Sequence, residues 1–400
     1  MMKKNNLPFY RILLAAVLIN LVSGINNTWS TFESALVNEL RWTHVLASLP
    51  CSIYLAVYAV AMVFAGMMQD RIGAKKTALL ASAFYAVGLW GAALQKNPYL
   101  FSLFYGVFVG FGVAFAYSSS LAAPLKYCVP RHRGRVSGLI MCSFGLTAAY
   151  MAPLSNCLIR LVGIRGAMAA LGVLIVPLVF LSALALQSRE TLEIEELSVV
   201  PAAEENTDQC YEKVSNVLRS PVFLKLFLCY FSSSLSGLIL LSHITNIAAL
   251  QAGIFDGYYL ISVISVSNCL SRIVSGALSD HIPHRIYLTG LYLLSAVNML
   301  LFPLYNRRGL LIVGCIFGGA SFGAGMSAAP SLVSAAFGMS HFGRNFGFLA
   351  MASGLAGVVG PLLAGVSADF LQSYTAVLLL SGAIHFCSSV LCFRSFAPKL

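Results

Sequence analysis

The chain has 400 residues, of which 58% are hydrophobic and only 10% charged, with a formal net charge of +11 and a mean hydropathy of +0.83. Soluble domains carry about 25% charged residues and about 45–50% apolar ones, so a chain this apolar lacks the polar surface to stay in water. Disordered, fibrous and secreted disulfide-rich classes are excluded, and no basic run is long or interleaved with aromatics in the way nucleic-acid binding needs.

A polytopic helical membrane protein remains. A crossing needs about 20 apolar residues, and twelve such segments follow one another. The first six lie near 9–31, 45–68, 77–95, 99–124, 136–157 and 164–187. The Met1-Met-Lys-Lys start ahead of Ile12–Ile19 has the outline of a signal peptide, but the apolar stretches that follow make it a first crossing. A polar segment, 188–218, comes next and holds eight of the 14 acidic residues, with Pro201 and few aromatics. It reads as a solvated linker. The second set lies near 221–249, 255–278, 286–305, 309–332, 346–368 and 373–393. The expected organisation is therefore a six-helix bundle at 1–187, the acidic linker, and a second bundle at 219–400.

Within the spans, Gly106, Gly110 and Gly112, and Gly318, Gly319, Gly323 and Gly325, form small-residue stripes suited to close helix approach. Cys51, Cys142, Cys157, Cys229 and Cys315 fall in apolar runs with no CxxC, and read as small buried hydrophobes. Lys and Arg collect in alternate connections, among them Arg71, Lys75, Lys76, Lys126, Arg133, Arg135, Arg285 and Arg344. The positive-inside rule places these, and both termini, in the cytoplasm.

Two short patterns recur. Gly66, Asp70, Ile72 and the basic Lys75 and Lys76 match Gly276, Asp280, Ile282 and Arg285 at an offset of 210, and Gly134-Arg135 with Gly138 match Gly343-Arg344 with Gly347 at 209. Two matches at nearly one offset, in equivalent loops, indicate a duplicated six-helix unit.

On these residues the chain resembles the major facilitator superfamily, whose loop signature after the second span is met by Gly66, Asp70, Arg71, Gly73, Lys75 and Lys76, with Ala74 where the family often has a basic residue. The resemblance implies an all-α membrane fold of two pseudo-symmetric bundles. It also implies a gate in which Asp70 faces the positive end of the helix starting near Arg344–Phe346. Arg133, Arg344, Gly276, Asp280 and Arg285 complete the expected gating set.

Within the superfamily the chain is similar to the oxalate/formate antiporter family and the monocarboxylate porters. That likeness rests on Trp29-Ser30, Phe32, Trp42, Tyr117, Lys126-Tyr127, Asn268, Arg272, Pro330, Phe337-Gly338 and Gly360-Pro361.

Arg272 is the one Lys or Arg that lies well inside a span, away from its ends. It lies eight positions before Asp280, about 12 Å from the cytoplasmic end and so near the middle of a ~30 Å core. An arginine there costs about 2.5–3.5 kcal/mol on insertion scales, and no Asp or Glu lies at comparable depth. It reads as an anion site, since guanidinium grips a carboxylate bidentately. The alternative is an arginine that snorkels or contacts Asp280.

The related antiporters place a second cation in the eleventh span, which implies a position at or near Ser353, yet no Lys or Arg occurs in that span. This favours a small monocarboxylate such as formate, lactate or pyruvate over oxalate. Asn268, one turn from Arg272, and Tyr58, Tyr117 and Tyr150 are the other candidate substrate contacts. His243, nearer the outer surface, reads as structural. Other readings are an exporter of amphipathic drugs and a transporter-like receptor acting through the linker. No HExxH motif or clustered His/Asp constellation suggests an enzyme, a metal or a cofactor. The expectation is a monomer in the cell (plasma or inner) membrane, with the bilayer and a small carboxylate as partners and no nucleic acid.

Overall fold

The computed structural model describes residues 7–186, 214–257 and 259–395, and these are helical with no strand among them. The helices are α1 (Leu7–Ser23), α2 (Trp29–Leu40), α3 (His44–Leu94), α4 (Pro98–Ser102), α5 (Gly110–Tyr127), α6 (Arg133–Ala185) and α7 (Val214–Arg219). After these come α8 (Pro221–Ala252), α9 (Tyr259–Ser279), α10 (His284–Leu301), α11 (Arg308–Phe337), α12 (Phe342–Leu371) and α13 (Thr375–Ser395). Ten helical stretches among the described residues are long and apolar enough to cross a membrane. The bulk of the acidic linker, with Arg189 and Lys213, lies outside the described residues.

Two helices are far too long for one crossing. α3 has 51 residues and α6 has 53, which unbroken would each run past 75 Å at about 1.5 Å per residue. Each is in fact two helices joined at a glycine, Gly73 at φ 82°, ψ 164° and Gly163 at φ 71°, ψ 172°. Only glycine enters that region without a Cβ clash, so these residues place the turns. Other ends are set by local chemistry. Thr43, Asn97 and Ser220 side chains accept from the first amides of α3, α4 and α8, and Pro98 and Pro221 open their helices where no N–H is needed.

The chain divides into two compact units. One contains Met1–Cys128, Ser143–Gln209 and Gly338–Met351; the other contains Val129–Cys142, Cys210–Phe337 and Ala352–Leu400. Each unit therefore includes a short segment from the opposite half of the sequence.

Packing in the second unit follows the small-residue stripe of α11. A Cβ at Gly319 or Gly323 would lie 2.4 Å from the Ile264 carbonyl oxygen or 2.1 Å from that of Asn268, both on α9. On the other side of α11, one at Gly318 or Gly325 would meet Leu240 or Ser233 of α8 at 2.4 and 2.0 Å. So α11 packs on the α9 backbone on one side and on α8 side chains on the other, the membrane route to van der Waals contact. Serines bond across these seams: Ser233 donates to the Ser321 carbonyl at 2.9 Å and Ser275 to that of Ala324 at 3.1 Å. An apolar core around Ile239, Ile244, Leu260, Phe302 and Leu378 fills the remaining space.

The cysteine reading needs one correction. Cys142, Cys229 and Cys315 are buried and Cys51 is half-buried, but Cys157 is exposed. Its apolar neighbours face outward with it, because an apolar run in a membrane helix carries no mark of which face meets lipid.

A larger side chain at Gly323 must push the α9 backbone aside, a strain of about 1–3 kcal/mol. Nothing lies within 4 Å of a Cβ at Gly290 on α10. Gly323→Val is expected to lower the thermal midpoint in detergent by several degrees and Gly290→Ala to leave it unchanged or raised; equal midpoints for the two would contradict this packing.

Candidate functional site

Two latches of the same chemistry stand out, one in each unit. In the first, Asp70 accepts from the backbone amides of Gly343 and Arg344, at 3.0 and 2.7 Å, at the start of α12. In the second, Asp280 accepts from the amides of Gly134 and Arg135, at 2.9 and 3.0 Å, at the start of α6. The first amides of a helix have no partner within it and carry the positive end of its dipole, so a carboxylate there satisfies two donors and a charge at once. Arg135 also reaches Asp280 with its Nε, at 3.7 Å.

Glycine makes both approaches possible. A Cβ at Gly66 would lie 2.0 Å from the Gly343 carbonyl oxygen, and one at Gly276 2.4 Å from that of Gly134. One turn further on, Gly347 meets the Met62 carbonyl and Gly138 that of Arg272, both at 2.5 Å for a Cβ. The two recurring sequence patterns are thus the two sides of one contact, made twice.

The remaining expected gating residues surround these latches. Gly73 is the helix break, and Arg71 and Lys76 are exposed while Lys75 is half-buried. Ala74 is 1% exposed, which is why the basic residue common in related loops has no room here. Arg133 is buried, Arg344 donates from Nε to Asn345 at 3.3 Å, and the Arg285 guanidinium lies 4.7 Å over the ring of Phe393.

The candidate substrate residues fall in both units. In the second unit Asn268 and Arg272 are brought together on α9, 6% and 5% exposed. Arg272 donates from Nε to the Asn268 side-chain oxygen at 2.9 Å and from Nη1 to the Met141 carbonyl at 2.6 Å. Guanidinium carries five N–H donors, so three stay without a protein partner among the described residues, and none of the ion pairs there involves Arg272. Asp280, the alternative partner in sequence, is occupied by the α6 amides. Ser353 is half-buried on α12 in the same unit.

In the first unit Tyr58 and Tyr117 are neighbours, with ring centroids 6.5 Å apart. Tyr117 is further packed between Phe144 at 5.2 Å and Phe346 at 6.3 Å, the second of these from the α12 segment that Asp70 holds. Tyr150 is 37% exposed and donates to the Leu21 carbonyl at 2.5 Å. His243 is 3.2 Å from both the Tyr374 hydroxyl and the Pro361 carbonyl. A carbonyl only accepts, so Nε2 donates to Pro361 while Nδ1 pairs with the Tyr374 hydroxyl.

Sequence reasoning found Asp70's helix partner but not the second latch, although the repeat contained it. The Met141 carbonyl had no signal at all, because any residue type offers one.

Comparison with known proteins gives the family. The family model described as Major Facilitator Superfamily matches residues 12–306 and 223–399. The oxalate:formate antiporter of Oxalobacter formigenes is 23% identical, over 93% of this chain and 87% of its own length. Monocarboxylate transporter 13 of Rattus norvegicus is 24% identical, over 91% of this chain and 83% of its own. The solved structure of the proton:xylose symporter XylE with 6-bromo-6-deoxy-D-glucose shares the fold alone, with a TM-score of 0.78 at 13% identity, covering 98% of this chain and 96% of that one. With a family model spanning both halves of the sequence, the chain belongs to the Major Facilitator Superfamily: it is a multi-pass membrane transporter and not an enzyme.

Proposed function

We propose that this transporter moves a small monocarboxylate across the cell membrane by alternating access, as anion exchange or with a proton. Twelve crossings arranged as two six-helix bundles, residues 1–187 and 219–400, would carry it, with both termini and the acidic linker cytoplasmic. The observation that carries this reading is Arg272, buried, without a carboxylate partner and with three donors to spare. Asn268 and the Met141 carbonyl orient the guanidinium without neutralising it, so its charge is left for a ligand. Carboxylate transport in the names of the two relatives points the same way.

The eleventh span offers no second cation, and one guanidinium balances one negative charge. A dianion would stay half compensated in a site of low dielectric. The same economy favours exchange. An empty site leaves Arg272 unpaired and costly to carry through the closed state, whereas a bound carboxylate removes that cost. Tyr58, Tyr117 and Tyr150 would supply an aromatic wall, and Ser353 a further hydroxyl. In this mechanism the Asp70 and Asp280 latches hold while one side is shut and part when the other opens.

Charge-assisted hydrogen bonds are worth about 1.5–3 kcal/mol each, so Arg272→Gln is expected to lower counterflow of labelled formate, lactate or pyruvate in proteoliposomes at least about tenfold. Its thermal midpoint should hold. Arg272→Lys, which keeps the charge but not the fork, should fall between. Undiminished counterflow in Arg272→Gln would reject the carboxylate site and favour export of amphipathic drugs through an aromatic cavity.

The latches make a separate prediction. Asp70→Asn is expected to speed hydrogen exchange at the amides of Gly343 and Arg344 while leaving Gly134 and Arg135 unchanged, and Asp280→Asn to do the reverse. Mass spectrometry of exchanged peptides reads this directly, and unaltered exchange at all four would show that the carboxylates do not hold these helix starts.

A further inference from the structure

The second latch extends beyond Asp280. Gly134 and Gly138 on α6 are followed, at the next helical repeat of four, by Cys142. Opposite them run Asp280, just past the end of α9, and on α9 Gly276, Arg272 and then Cys269. The two thiols close the far end of this stripe, their Sγ atoms 3.1 Å apart, with the Cys269 Sγ 3.8 Å from the Cys142 carbonyl oxygen. Both are free thiols, Cys142 buried and Cys269 half-exposed. A disulfide needs about 2.05 Å between sulfurs, so about 1 Å of side-chain movement separates the pair from a bond. Arg272 stands one turn from Cys269, and its Nη1 is held by Met141, the residue before Cys142. The thiolate is the form that attacks a disulfide, and Cys269 is the more accessible of the two thiols.

We propose that Cys142 and Cys269 form an oxidation site: a low-molecular-weight disulfide converts the pair to a protein disulfide that staples the start of α6 to α9. The more exposed Cys269 thiolate attacks one sulfur of the reagent, forming a mixed disulfide and releasing one reagent thiol. Cys142 then attacks the Cys269 sulfur and releases the second. The protein gives up two electrons, the reagent disulfide takes them, and the two thiol protons leave on the released thiols. Dithiothreitol reverses the exchange. The bond joins residues on either side of the linker and fixes the contact that Asp280 makes with the helix start. Its consequence for transport rests on the alternating-access reading above.

The test uses full-length protein carrying an engineered protease site after Pro201. Membranes are treated with 2,2′-dithiodipyridine, quenched with maleimide, solubilised and cut. The fragments are then run without reductant. Most of the wild-type chain is expected to stay joined and to separate after dithiothreitol, while Cys142→Ser and Cys269→Ser separate throughout. The other close pair, Cys229 and Cys392 at 3.5 Å, lies wholly after the cut and cannot join fragments. Separation of the oxidised wild type, or joining in either serine variant, overturns the site. Counterflow is measured on the same oxidised membranes without cutting. A fall of at least about tenfold that dithiothreitol restores, absent in both serine variants, supports a transport lock. Joined fragments with undiminished counterflow overturn the lock while leaving the bond. Because the gel requires no substrate, failure of the carboxylate reading cannot be mistaken for failure of the disulfide.

Discussion

The structure depends on a carboxylate seated on the first amides of a helix, a contact made twice: Asp70 on α12 and Asp280 on α6. Each aspartate comes from one half of the chain and each helix start from the other. The interaction suits its task because it is strong when seated and complete in itself. Two amides that the helix cannot satisfy, the positive end of its dipole and a charge that hydrocarbon would not tolerate are all settled together. Glu39 repeats the chemistry on a smaller scale, accepting from the Ile164 amide at 2.7 Å just after the Gly163 break. Six acidic residues lie outside the linker, and three of them are used in this way.

Seating the carboxylate requires two backbones to come almost into contact, which fixes the glycines. Gly66 and Gly276 stand where any side chain would strike a carbonyl of the opposing segment. The same constraint continues inward as Gly347 against Met62 and Gly138 against Arg272. The latch in the second unit and the candidate anion site are therefore one continuous surface. The carbonyl that Gly138 approaches belongs to the residue whose guanidinium is held by Met141, three positions further along α6. The helix start that Asp280 holds and the helix turn that holds Arg272 are thus neighbouring parts of α6, so the latch and the candidate anion site share one contact surface.

Much of this was legible in the residues. The Gly66-to-Lys76 pattern and its copy at Gly276 gave the family and the repeated unit, and the family resemblance placed Asp70 at the α12 start, a contact that helix electrostatics explains. Arg272 was conspicuous because charge is scarce in the spans, and its distance from Asp280 placed it in depth. The pairing of Asp280 with Gly134 and Arg135 was present as a repeat but not as a contact, since similarity between two loops does not say which meets which. Cys157 shows the opposite failure: an apolar run suggested burial, and the residue faces outward.

Sequence by itself determined class, repeat and the isolated arginine, because these rest on composition, on the spacing of short patterns and on the cost of charge in hydrocarbon, all properties read along the chain. Tertiary structure alone decided that Asp280 holds the start of α6, that the Met141 carbonyl steadies Arg272, and that Cys142 meets Cys269 across 127 positions of chain. Backbone carbonyls and amides are the same at every residue, so which of them come to face a given side chain is set by packing and leaves no mark in the sequence.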